Sequence, residues 1–148
     1  MTFTLAAKTP YQDQLQRVAD RCTNSLGALK LLQEKSPSFD EFKYEIEEMA
    51  SLVKRYQKWI APLYDKTKLM DLGQHDDQAV RALGLALKES KLLPPHGMAV
   101  ITELEKMSNQ LENINLKSSP EQIEEAKVML WKIRQGAWNL LPDGGCFG

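Results

Sequence analysis

Between Phe39 and Ile60 the apolar side chains fall at Phe39, Phe42, Ile46, Met49, Val53, Tyr56 and Ile60, alternating steps of three and four without a miss. A strand repeats every two residues and a helix every 3.6, so only a helix gathers all seven on one side. The same rhythm recurs along the chain. Tyr11, Leu15, Val18, Cys22, Leu29 and Leu32 mark a helix over about 10–35, and Val80, Leu83 and Leu87 a shorter one over about 76–91. Val100, Leu104, Met107, Leu111 and Ile114 mark a fourth over about 98–115, and Ile123, Ala126, Leu130, Ile133, Ala137 and Leu140 a fifth over about 120–141. The second helix spans about 39–61. Such narrow seams suit helices that pack side by side at shallow angles. Composition agrees: Leu, Ala, Met, Gln, Glu, Lys and Arg make up 80 of 148 residues, against 17 for Val, Ile and Thr, a balance that favours helices over strands.

Proline sets the boundaries. Thr9-Pro10-Tyr11-Gln12 and Ser119-Pro120-Glu121-Gln122 are capping boxes with proline at the first helical position, where its missing N–H would have had no partner. Ser38-Phe39-Asp40-Glu41 is a third box just after Pro37. Pro62 breaks this rule, because the seam reaches past it to Leu63; the second helix must stop near Ala61 or kink. The expected fold is therefore all-α, a single-domain antiparallel bundle of four or five helices over 1–148. A short N-terminal arm (1–9) precedes it and a Gly-rich tail (142–148) follows. The tail cannot be helical, and Phe147 is its natural anchor, on the bundle or on another chain.

A chain of 148 residues suffices for one sizeable core. Its formal charge of −1 supplies no global field. That balance excludes a strongly basic DNA-binding domain and an acidic tail. No apolar run reaches the length of a membrane span, and the first residues lack the arrangement of a secretory signal. The two cysteines, Cys22 and Cys146, form no framework. Cys22 belongs to a helical stripe and reads as a buried thiol; Cys146 stands one place too late for a prenylation box. These features predict a soluble cytoplasmic protein in a reducing compartment, with no membrane partner.

Little catalytic chemistry is visible. Neither His75 nor His96 has a Glu three residues before it, as a di-iron bundle needs. No Gly-rich phosphate loop or nucleophile elbow occurs. Two weak signals remain. His75-Asp76-Asp77 could hold a metal in an all-helical metal-dependent hydrolase, but Asp76 and Asp77 also suit a helix N-terminus, one of them as its cap. Glu45, Glu47 and Glu48 could serve a magnesium cluster, yet the partner acidic motif is missing, and a solvated helix face explains them. No catalytic residue, metal ligand or cofactor is assigned from the sequence.

The second helix is sorted by charge. Residues 40–48 carry five acids and one lysine, whereas Lys54, Arg55, Lys58, Lys66 and Lys68 face a single acid, Asp65. Acids at the N-terminal end and bases at the C-terminal end complement the helix dipole. The same bases, with Trp59 and Tyr64 as rings free to stack, form a candidate patch for a phosphate backbone. Trp131 and Trp138 lie seven apart, one residue off the fifth seam. They read either as a widened core stripe or as an exposed pair anchoring a partner.

In size and helical make-up the chain resembles the small helical subunits of RNA-guided CRISPR effector complexes. The missing catalytic groups, the Trp131/Trp138 flank and the tail predict a non-catalytic subunit or adaptor working through protein–protein contacts or self-association within a larger assembly, as the resemblance also implies. The basic residues Lys54, Arg55, Lys58, Lys66 and Lys68 add backbone contacts to nucleic acid as a candidate role within it.

Overall fold

A computed structural model describes residues 10–65, 77–94 and 97–142, and among them every regular element is helical. The helices are α1 (Pro10–Gln33), α2 (Phe39–Asp65), α3 (Gln78–Glu89), α4 (Met98–Glu112) and α5 (Pro120–Asn139). The expected arm (1–9), His75, Asp76, His96 and Cys146 lie outside the described residues, as does all of the tail except Pro142.

The helix ends follow their local chemistry. At α5 the capping box closes as the sequence predicts: the Gln122 amide donates to Ser119 Oγ (3.2 Å) and the Ser119 amide to Gln122 Oε1 (2.8 Å). At α2 the Ser38 amide donates to Ser36 Oγ (3.2 Å), so the serine before Pro37 takes the donor that a box would give to Glu41. α1 ends on a Schellman motif without glycine. The Ser36 amide bonds to the Leu31 carbonyl and the Lys35 amide to that of Leu32, with Lys35 itself at φ 56°. α2 runs through Pro62 to Asp65. The proline forgoes only the bond to the Lys58 carbonyl, and the last turn has few further bonds to lose.

The seams meet in one core. α1 packs antiparallel on α2, with the Ser25 hydroxyl donating to the Glu45 carbonyl (3.0 Å). It also packs antiparallel on α5, where Lys127 reaches Gln33 and Arg134 reaches Thr23. α4 lies mainly on α2, and α3 is held among α1, α2 and α5. Leu15, Val18, Cys22, Leu29, Leu32, Ile46, Met49, Val53, Tyr56, Ile60, Leu83, Leu87, Leu104, Leu111, Leu130 and Ile133 are buried in a single cluster. Removing this apolar surface from water, at about 25 cal/mol per Å², is the main force holding the helices together.

Among the described residues three side chains depart from their seams. Phe42 is 43% exposed although its spacing fits the α2 stripe. α3 meets α2 at Arg55 and Tyr56, which is about 20 Å further along at 1.5 Å per residue. Phe39, one turn earlier, is buried, so at this end of α2 it is the side carrying Phe42 that lacks a cover. Ile114 lies beyond the end of α4 and Leu140 beyond the end of α5, and both are half-buried.

Two helical glycines seat α3. A Cβ on Gly84 would stand 2.6 Å from the Tyr56 ring, and one on Gly136 of α5 would stand 2.3 Å from the Ala86 carbonyl oxygen. Both crossings need a bare backbone on one side.

Candidate functional site

α3 begins where the sequence carries its strongest metal-like signal. Asp77 is the N-cap. Its Oδ1 accepts from the Ala79 amide (2.9 Å) and the Val80 amide (3.3 Å), and its Oδ2 accepts from Arg55 Nη1 (2.8 Å). This carboxylate therefore ties a helix end to α2, the capping role that one of the two aspartates was expected to fill. Among the described residues, no three His, Cys, Asp or Glu side chains gather as a metal site requires. Glu47 and Glu48 are exposed on α2, Glu48 facing Arg21 at 4.0 Å, whereas Glu45 is partly buried beside α1.

The basic stretch is bound up with acids of the bundle. Lys54 pairs with Glu112 at the end of α4, and Arg55 pairs with Asp77 at 2.8 Å. Lys58 is exposed. Trp59 is not free to stack: its ring is half-buried against the core and lies 5.6 Å from that of Tyr56, tilted by 57°. Tyr64 contributes backbone to the last turn of α2, but its side chain, with Lys66 and Lys68, lies outside the described residues. The charge gradient read as a dipole complement is thus also a set of inter-helix ties. The sequence shows the bases but not the acids that tertiary packing sets beside them.

The two tryptophans of α5 separate. Trp138 packs against the core, and the Arg134 guanidinium lies 4.5 Å from its ring centroid. Arg134 also donates to Thr23 Oγ1 (3.2 Å) across to α1, so Trp138 is part of the α1–α5 junction. Trp131 is 50% exposed. Val128, one turn earlier, is 44% exposed, and the two are neighbours on the outer face of the helix.

That face borders a groove. A short connection (113–119) joins α4 to α5, yet the two helices barely touch. Between them opens a cleft of about 460 Å³, with Leu92, Met107 and Met129 supplying its apolar lining and Val128 on one side. Gln110 Nε2 donates to Glu125 (3.1 Å) near the connection. No sequence signal announced this groove, because the seams of α4 and α5 are both regular and suggest direct pairing.

Cys22 lies at the centre of the bundle as a free thiol. Burial pushes its pKa from 9.0 up to about 12, against a smaller lowering by the nearby Arg134 charge. A thiol so shielded is chemically quiet. Among the described residues no helix is long and apolar enough to cross a membrane.

Comparison of the chain with models of protein families, with curated proteins and with solved structures finds no match in any of the three.

Proposed function

We propose that this chain is a non-catalytic helical-bundle subunit or adaptor that acts through protein–protein contacts within a larger assembly. The observation that carries this reading is the pair Val128 and Trp131, half-exposed side by side on α5 over a core that is already closed. Scattered surface apolar residues need no explanation. A half-exposed tryptophan beside a second apolar residue at the edge of an open groove has the composition of a binding hot spot, where Trp is enriched. The packing of the five helices into one core supports the same reading, since a preorganised face loses little freedom when a partner docks.

The test is site-directed photocrosslinking of the full chain in its native host. A photoreactive amino acid at position 131 should give one discrete adduct of higher mass, and the same group at the exposed Lys88 of α3 should not. If position 131 labels no more than position 88, the reading is wrong.

A further inference from the structure

We propose that the α4–α5 groove is a docking site for a short, basic, amphipathic helix of a partner protein. This rests on the subunit reading above and names the surface and chemistry of the contact. The shape argues for a helix. α4 and α5 are splayed across a slot whose floor carries the buried Met107 and Met129 together with Leu92. An extended strand would need a sheet edge to pair with, but α4 and α5 are satisfied within themselves, and a polyproline segment would need aromatic walls, which this lining lacks. A helix laid in the slot instead does what every other helix here does, burying one apolar stripe between two neighbours. Methionine suits such a floor, because its flexible side chain adapts to what it meets.

The charge argues for a basic occupant. Glu103 on α4 and Glu121, Glu124 and Glu125 on α5 line the groove against one base, Lys106. Among the described residues Glu103 and Glu121 make no ion pair. Glu124 has only a distant lysine, Lys127 at 3.8 Å. Acidic walls above an apolar floor favour Lys or Arg on the flanks of an apolar stripe and repel nucleic acid and acidic peptides. The length follows from the helix rise: from Glu121 to Met129 the wall runs about 12 Å, or roughly two turns of an occupant. Val128 lies at the end of the groove away from the connection, with Trp131 one turn further along α5.

The probe is a fluorescent Leu/Lys model peptide of about four turns, titrated by anisotropy against the full chain, beside its Leu/Glu counterpart. The Leu/Lys peptide should bind saturably and more weakly as salt rises, and the Leu/Glu peptide should not bind. Reversing the wall with Glu121→Lys, Glu124→Lys and Glu125→Lys together should weaken binding at least about tenfold, as rim charges that steer a partner would. Val128→Asn should weaken it without altering the wall charge. Reversal of Glu41 and Glu47 on α2 should leave it unchanged, and unchanged circular dichroism will show that each variant is folded. Equal binding of both peptides, or binding indifferent to wall and floor, would overturn the groove assignment. An adduct from position 131 that survives wall reversal would overturn the groove alone and leave the subunit reading standing. Loss of that adduct with peptide binding intact at the groove would do the opposite.

Discussion

Replacing Gly136 by alanine tests the tightest contact in the bundle. Alanine is the better helix former by about 1 kcal/mol, so on α5 alone the change should stabilise. The structure predicts the reverse. The new Cβ would stand 2.3 Å from the Ala86 carbonyl oxygen and 3.0 Å from the Ser90 amide nitrogen. Both are backbone atoms and cannot rotate away. They are also hydrogen-bonded to each other at 2.9 Å in the last turn of α3. Relief requires α5 and α3 to separate by well over half an ångström, loosening the side chains packed around the crossing. Overpacking of this kind costs about 1–3 kcal/mol; because the clash is with backbone, the upper half of that range applies, and after the propensity gain a net loss of about 1–2 kcal/mol remains. At about 3 °C per kcal/mol for a chain of this length, the melting temperature should fall by several degrees. Gly27 is the internal control. It is exposed on α1 with nothing within 4 Å of the position of an added Cβ, so Gly27→Ala should stabilise by up to about 1 kcal/mol. Urea unfolding followed by far-UV circular dichroism measures both. A Gly136→Ala protein as stable as the parent, or more so, would refute the crossing geometry.

Two further outcomes follow from buried polar atoms. In a Cys146→Ser background, Cys22 should react with a thiol reagent only as fast as the protein opens. Its stability effect has a definite sign: the folded pKa is raised, so the contribution is complete below about pH 9 and is lost as pH climbs towards about 12. The parent should therefore lose stability over that range relative to Cys22→Ala, and parallel pH profiles would contradict the burial. Ser108 of α4 is buried, and its hydroxyl has no hydrogen-bond partner among the described residues. Ser108→Ala should accordingly be neutral or stabilising by up to about 1 kcal/mol; a clear loss in the same urea assay would reveal a partner for that hydroxyl.

The candidate surface was only partly legible in the chain. Trp131 and Trp138 have nearly the same angular position on α5, so the sequence treats them alike, either both as core or both as exposed anchors. They differ because Arg134, held by Thr23 of α1, covers one ring, while the other faces out beside the groove. Lys54 and Arg55 look like a phosphate-binding patch until Glu112 and Asp77 are seen against them. These acids lie 58 and 22 residues away along the chain, so no local pattern could reveal the pairing. The groove was hidden for a similar reason. Regular seams on α4 and α5 say that each helix buries a stripe, but not that α4 buries its own chiefly against α2.

The helices themselves were settled locally. Apolar spacing, proline position and capping residues act within one or two turns, so a reader of the chain alone can place five rods and their greasy edges. Which edges meet is a global matter. It depends on bare backbone at Gly84 and Gly136, which lets the short α3 sit close to α2 and α5, and on the resulting splay of α4 from α5. A seam records how much surface a helix must hide, whereas the choice of neighbour is set by the fit of all five at once.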